Sequence, residues 1–224
     1  MDQQPSKPVR PRDAASVVLL RGRGEAAEVL MGRRRSRAAF LPDIYVFPGG
    51  RVDAADVLAS RRLPLPAPAA AVLARRCRSR APGALLVAAL RETFEETGLM
   101  LGAPGHVGAM PPGAVWQAYA DAGLVPGLDR LTYIARAITP TNSHRRFNTR
   151  FFLADAEHAQ GTLLAESELL DLRWVRLAEV EKTVPVVDVT EFVLGRVRAI
   201  QTGAVQDRVP LWRYIRDVSH VLYE

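Results

Sequence analysis

Four charged residues near the middle of the chain have the types and spacing expected of a metal site. Arg91 is followed by Glu92, Glu95 and Glu96, and Gly98 comes shortly after the last glutamate. Positions three and four residues apart share one face of a helix, so Glu92 would lie beside Glu95 and Glu96. Three carboxylates on one stripe repel one another, and a bound cation would relieve that repulsion. Hard cations such as Mg²⁺ or Mn²⁺ prefer all-oxygen ligands of this kind.

The flanking sequence favours this interpretation over a solvated acidic face, which is common on surface helices. Residues 84–97 are mainly good helix formers, and Gly98 is well placed to end the helix. Upstream, a short strand within residues 40–47 stops at Pro48-Gly49-Gly50. Glycines let the backbone turn sharply or approach a ligand closely. Arg91 could fix one carboxylate through its planar guanidinium group.

The other elements must place this helix and the glycine pair side by side. The pattern predicts helices over 114–122 and 190–201 and strands over 16–20, 28–31, 131–138, 147–154 and 171–175. Interleaved elements without a regular repeat indicate an α/β or α+β layered domain, with a mixed sheet covered on both faces. We predict a single domain over residues 15–224, preceded by a flexible tail at 1–14.

A Pro/Ala/Arg-rich segment interrupts the pattern at residues 57–83. Its alternating prolines, from Leu63 to Pro68, exclude an ordinary helix there, although 69–78 could form a short one. We interpret the segment as an insertion that is surface-exposed and partly mobile.

Composition limits the class of protein. The net charge is +6, and the basic residues are spread widely without a basic run interleaved with aromatics. This favours an anionic small-molecule substrate over nucleic acid. No apolar run is long enough to span a bilayer, and the single cysteine, Cys77, excludes an intramolecular disulfide. We expect a cytoplasmic protein.

The segment RETFEETGL at residues 91–99 resembles the second half of the Nudix box, and VFPGG at 46–50 resembles its usual approach. The resemblance implies a Nudix fold, with a mixed β-sheet sandwiched between α-helices. It also implies Mg²⁺- or Mn²⁺-dependent hydrolysis of a phosphoanhydride in a nucleoside diphosphate linked to another moiety. In that fold Glu92, Glu95 and Glu96 would bind metal, and Arg91 would orient them. Gly49 and Gly50 would lie against the substrate.

The insertion splits this box. The glutamate expected between Gly50 and Arg91 corresponds to Asp56 when counted forward, and to Gly83 when counted back. Asp56 could substitute for the glutamate or act as a structural cap. A split box of this kind resembles the coenzyme A diphosphatase-like branch of the family, which makes coenzyme A or an acyl derivative the first substrate to consider. The branch's coenzyme A signature has an arginine and a glycine where this chain has Ala39 and Asp43.

Several other side chains are candidates for the same chemistry. Glu96, or a loop carboxylate at Glu166 or Glu168, could accept a proton from water. Phosphate could be bound by Arg34, within the run 33–35, and by Arg145, Arg146 and Arg150; strand alternation would point Arg146 and Arg150 the same way. For the loop carboxylates and the strand arginines, an ordinary solvated role remains the alternative. Trp116, Trp174 and Trp212 are expected in the core or at an edge, and any of them could stack on a base.

Other functions stay open at this stage. A Nudix-fold ligand sensor without hydrolysis is one alternative, although such proteins usually lose glutamates from the triad. A hydrolase acting on NADH, ADP-ribose or capped RNA is another. The apolar residues after Val209 could cover a neighbour in a homodimer or pack on their own domain.

Overall fold

A mixed β-sheet organises the computed structural model, which describes residues 9–38, 41–63, 65, 73, 82–106, 108–204, 208–216 and 218–224. Its strands are β1 (Arg12–Arg21), β2 (Glu28–Arg34), β3 (Tyr45–Val46), β4 (Gly49–Arg51), β7 (Thr132–Ile138), β8 (Phe147–Asp155), β10 (Leu169–Arg176), β11 (Pro210–Ile215) and β12 (Val218–Tyr223). A smaller sheet contains β5 (Leu99–Pro104), β6 (Leu124–Pro126) and β9 (Ala159–Gly161).

The helices within the described ranges are α1 (Ala54–Ala59), α2 (Pro82–Thr97), α3 (Ala114–Asp121), α4 (Val180–Thr183) and α5 (Asp188–Gln201). None of them is long and apolar enough to cross a membrane. Helix α2 follows the predicted pattern, and it ends where Gly98 adopts a φ of 78°. A left-handed residue of this kind is the usual end of a helix.

Strand β1 lies inside the large sheet, whose order is β10-β2-β1-β8-β7-β11-β12, with β3 beside β2 and β4 beside β1. Its apolar run is typical of a strand buried on both faces. Val17 and Leu19 pack with α2 in one core, whereas Val18 and Leu20 pack in a second core that contains α5. The sheet is therefore sandwiched between helices, as the sequence predicted.

For the chain after Val209, the structure supports the alternative of packing on its own domain, because this segment forms the hairpin of β11 and β12, and β11 pairs with β7. Three expectations need correction. Strand β1 begins at Arg12, inside the predicted tail. The double glycine 49–50, expected to end a strand, belongs to a separate short strand, β4, which pairs with residues 14–16 of β1. Leu63 and Leu73 of the insertion are buried in the core. Apart from Leu73, the short helix predicted at 69–78 lies outside the described residues.

Candidate active site

Arg91 gathers the acidic residues of α2 around one guanidinium group. Its Nη1 donates to Glu92 Oε1 at 2.8 Å and to Glu95 Oε2 at 2.9 Å. On its other side, Nε and Nη2 donate to the two carboxylate oxygens of Asp56 at 2.8 and 2.9 Å. Nη2 also reaches the carbonyl oxygen of Arg51 at 3.1 Å. Arg91 thus connects α2, α1 and β4, and it fixes two glutamates of the triad.

Asp56 acts as a structural cap, one of the two roles that the sequence left open, and it also pairs with Arg91. Its side chain is buried, and besides its paired contact with Arg91 it accepts the backbone N–H of Asp53 at 2.8 Å. Asp53 precedes the first turn of α1, so this hydrogen bond is half of a capping box. The cap holds Asp56 in place for Arg91. The two parts of the split box therefore meet in space through this ion pair.

The two glycines of β4 bring backbone into direct contact with the glutamates. The Gly49 N–H donates to Glu96 Oε2 at 2.7 Å. Gly49 has a φ of 155°, and an added Cβ would lie 2.4 Å from the carbonyl oxygen of Ala15. At Gly50 an added Cβ would lie 2.3 Å from Glu92 Oε1. Gly49 has no room for a side chain, and a side chain at Gly50 would displace the Glu92 carboxylate.

Burial makes ionisation of the glutamates in this cluster unfavourable. It raises the pKa of Glu96 to about 8, and the charges of Glu92 and Glu168 add to the shift against the Gly49 hydrogen bond. Burial also raises the pKa of Glu92, although Arg91 opposes the change. For Arg91, hydrogen bonding to Asp56 and the charge of Glu92 outweigh desolvation and raise its pKa. A cation placed among the glutamates would offset the cost of ionising them.

The donor set fits a hard divalent cation. Glu92, Glu95 and Glu96 offer only oxygen atoms, as Mg²⁺ and Mn²⁺ prefer. In the part of the chain that the structure describes, no three acidic, histidine or cysteine side chains already converge on one point. Two glutamates turn toward Arg91 and the third toward Gly49. The case for a divalent cation at this site therefore rests on the oxygen ligands of the three glutamates and on the raised pKa values of Glu92 and Glu96.

The glutamates open onto a cavity of about 730 Å³. A volume of this size suits a small organic ligand. Three of the arginines that line it are Arg34, Arg51 and Arg145. The Nε of Arg34 is buried and has no hydrogen-bond partner within the described residues. The cavity thus places guanidinium groups near the carboxylates, as a phosphate-bearing ligand would require.

Of the two loop carboxylates, the structure brings only Glu168 to the cavity. Glu168 lines its wall, is largely exposed, and has an oxygen 3.8 Å from Arg34 Nη2. Glu166 is exposed and does not line the cavity. Between them, Ser167 donates from Oγ to the carbonyl oxygen of Glu96 at 2.6 Å. Sequence reasoning did not single out Ser167, which attaches this loop to the end of α2.

Arg146 and Arg150 do not line the cavity, so their position does not support the predicted role in substrate binding. Arg150 is buried, and its Nη1 donates to Asp13 and to the carbonyl oxygen of Asn148. Arg146 donates to the carbonyl oxygens of Thr139 and Val9. In β8 it is the odd-numbered residues 147, 149 and 151 that face the cavity. Alternation predicted that the two arginines share a face, but Arg146 precedes β8, and Arg150 alternates with the residues of β8 that face the cavity.

Comparison with solved structures identifies the class of protein. The chain is similar to a Nudix hydrolase of Alicyclobacillus acidocaldarius, with 30% identity and a TM-score of 0.65. The match covers 88% of this chain and 94% of that protein. This chain belongs to the Nudix hydrolase family. The fold and family expected from the box motif are confirmed, although no family model matches the chain.

Two curated relatives narrow the likeness further. The chain is 38% identical over 125 residues to the acyl-coenzyme A diphosphatase NUDT19 of Gallus gallus. The matched region covers 42% of this chain and 33% of that protein. The chain is also 29% identical over 188 residues to the putative nudix hydrolase 7 of Caenorhabditis elegans, which covers 75% and 52%. The chain therefore spans about a third and about half of these relatives. The likeness to these two relatives confirms the expected relation to the coenzyme A diphosphatase-like branch.

Proposed function

We propose that this protein hydrolyses a phosphoanhydride bond in a nucleoside diphosphate linked to another moiety, with a divalent metal ion as cofactor. The observation that carries this proposal is the cluster at the head of the cavity. There Arg91 holds Glu92 and Glu95, the Gly49 N–H holds Glu96, and Arg34 lines the same cavity. Carboxylates for a cation and guanidinium groups for phosphate meet in one space, as phosphoanhydride hydrolysis requires.

Glu92, Glu95 and Glu96 would hold the metal, preferentially Mg²⁺ or Mn²⁺. When bound, such an ion neutralises charge on the phosphates and lowers the pKa of a water molecule. Arg34 would bind a non-bridging phosphate oxygen, and Gly50 lets the substrate approach the backbone beside Glu92. These groups contribute by positioning and by electrostatics, which dominate phosphoryl transfer.

Glu168 is the proton acceptor in this proposal. It lies on the cavity wall, and its carboxylate is not among the three assigned to the metal. A water oxygen attacks one phosphorus, the bridging P–O bond breaks in line, and the water proton passes to Glu168. The bridging oxygen leaves with the second phosphate. Glu96 remains the alternative acceptor, because its raised pKa lies near neutral pH.

Coenzyme A and acyl-coenzyme A are the first substrates to test. The support is the likeness to the chicken protein named as an acyl-coenzyme A diphosphatase, together with the split box. The relevant feature of these molecules is a diphosphate that joins a nucleoside to a long second arm. NADH, ADP-ribose, diadenosine polyphosphates and capped RNA share the diphosphate or polyphosphate but differ in the attached arm, so they are the comparison set.

The test is product release from each compound with Mg²⁺ or Mn²⁺, using the wild-type chain and the variants Glu95→Gln, Glu96→Gln and Glu168→Gln. Glu157→Gln is the matched control, because Glu157 is exposed and does not line the cavity. We expect metal-dependent cleavage of one class of compound, lost in the Glu95 and Glu96 variants and kept in the control. Glu168→Gln should lower kcat while leaving metal affinity unchanged.

The same panel separates the enzyme from a ligand sensor. A wild-type protein that binds metal and a nucleotide without cleaving any compound would overturn the hydrolase proposal and favour the sensor. Cleavage that persists unchanged in Glu95→Gln and Glu96→Gln would overturn the assigned site.

A further inference from the structure

One row of paired residues crosses the floor of the cavity from strand to strand. Arg51 pairs with Ala14, Ala14 with Thr149, Thr149 with Ala137, and Ala137 with Trp212. All five line the cavity. Residues paired across strands face the same side of a sheet. With a spacing of about 4.8 Å between neighbouring strands, the row extends for about 19 Å.

The side chains along this row give the cavity the shape of a trough. Its middle members, Ala14, Thr149 and Ala137, are small, whereas Trp212 at the far end is the largest side chain available. Trp212 packs on Phe192 of α5 with ring centroids 5.1 Å apart. Tyr214, two residues further along β11, lies on the same face with a centroid 6.3 Å from Trp212. The trough therefore ends at an aromatic wall formed by Trp212 and Tyr214, and Phe192 packs against Trp212.

Polar groups at this wall can still make hydrogen bonds. Asp188, at the start of α5, accepts a hydrogen bond from the Tyr214 hydroxyl and also lines the cavity. A carboxylate can accept further hydrogen bonds. A ligand here therefore meets a flat aromatic surface and a carboxylate acceptor.

The other two tryptophans are used elsewhere. Trp116 is buried in the core beside Tyr119, with ring centroids 5.8 Å apart. Trp174 lies under the guanidinium of Arg21, whose Cζ is 4.3 Å from the ring centroid. Neither lines the cavity. Trp212 is therefore the tryptophan that can meet the ligand.

We propose that Trp212 is the stacking platform for the nucleobase of the substrate, with Asp188 accepting a hydrogen bond from the edge of the base. This inference rests on the proposed function. The row places the base at the Trp212 end of the trough and the diphosphate at the Arg51 end, next to the glutamates. Specificity for nucleotides over other diphosphates then depends on β11, which is separated from β4 by three strands in the row.

The test is calorimetric titration of two ligands that cannot be hydrolysed at the bridging position. One is α,β-methylene-ADP, which has a base, and the other is methylenediphosphonate, which has none. Trp212→Ala should weaken binding of the nucleotide analogue by about 5-fold to 150-fold, the equivalent of about 1–3 kcal/mol of stacking. Binding of methylenediphosphonate should not change. Trp212→Phe keeps a stacking ring and should retain most of the affinity.

Trp174→Phe is the matched control, and it should bind both ligands as the wild type does. Equal weakening of both ligands in Trp212→Ala would indicate a general disturbance and overturn the proposal. So would an unchanged affinity for the nucleotide analogue, or no binding of it by the wild type. The titration does not depend on hydrolysis. Trp212-dependent binding without turnover of any compound would therefore support this inference while the proposed function failed.

Discussion

Asp56 and Arg91 form a two-point ion pair between α1 and α2, and it joins the separated parts of the catalytic motif. Both carboxylate oxygens of Asp56 are engaged, and the carboxylate is buried. Arg91 in turn holds Glu92 and Glu95. The position of the glutamates therefore depends on a residue that lies far from them in the sequence.

Asp56→Asn should destabilise the fold and lower activity together. Removing one partner of a buried ion pair typically costs about 3–5 kcal/mol, because the remaining charge is left uncompensated. Urea denaturation should show this loss, and kcat should fall because Arg91 no longer fixes the glutamates. Glu28→Gln is the control, since it breaks the exposed pair with Arg21 and should cost less than about 1 kcal/mol. A change at Asp56 as small as that at Glu28 would contradict this role.

Gly50→Ala should inactivate the enzyme with little effect on the rest of the fold. The added methyl group would overlap Glu92, whose Cδ lies 2.5 Å from the ideal Cβ position. Displacing a catalytic group by about 1 Å can lower kcat/KM by about 100-fold. Gly195→Ala is the control, because nothing lies within 4 Å of that position in α5. The control should keep full activity and gain about 0.5–1 kcal/mol in stability.

Stability without metal should depend on the ionisation of Glu96. Its folded-state pKa of about 8 exceeds the ordinary value of 4.5. The favourable contribution of a group whose pKa is raised is present in full below the ordinary value, and it is lost as the pH rises through about 8. In chelator, Glu96→Gln should therefore become more stable than the wild type over this range. The difference should reach on the order of a few kcal/mol.

Parallel pH profiles for Glu96→Gln and the wild type in chelator would refute that assignment, and Glu157→Gln provides the control profile. Adding Mn²⁺ should remove most of the wild-type slope, because metal binding displaces the proton from Glu96. For the same reason the affinity for Mn²⁺ should increase as the pH rises toward 8.

Arg34 and Arg146 should respond differently to replacement by alanine. Arg34 lines the cavity, and its buried Nε has no partner within the described ranges. We expect Arg34→Ala to raise KM by about 10-fold to 150-fold, the equivalent of about 1.5–3 kcal/mol for a charge-assisted hydrogen bond. Arg146 binds backbone carbonyl oxygens. Its alanine variant should lower the melting temperature and leave KM unchanged; a raised KM there would restore the sequence-based assignment.

The part of the site that lies on α2 could be predicted from the sequence, because residues close together in a helix have a regular spacing. The glutamates repeat at helical spacing, and Gly98 ends the helix where the pattern indicates. Strand alternation applies to Arg150 but not to Arg146, which precedes β8. Alternation cannot decide which of two covered faces holds the cavity, however, because both faces of this sheet pack against helices.

Contacts between distant residues were less predictable. The sequence does not show that Asp56 pairs with Arg91, because the insertion separates the two residues in the chain. The pairing of β11 with β7, which brings Trp212 to the cavity, likewise joins residues far apart in the chain. A sequence shows that such a segment is apolar but does not show which strand it pairs with.

The chain leaves α1 at Ser60 and comes back into α2 at Gly83, where an added Cβ would lie only 3.2 Å from the Cβ of Ser60. The two ends of the insertion therefore lie side by side. Doubling the length of a flexible connection between adjacent ends costs only about 0.6 kcal/mol in closure entropy. Extra residues added between these ends should therefore cost little and leave the glutamates in place, provided that Leu63 and Leu73 stay buried in the core.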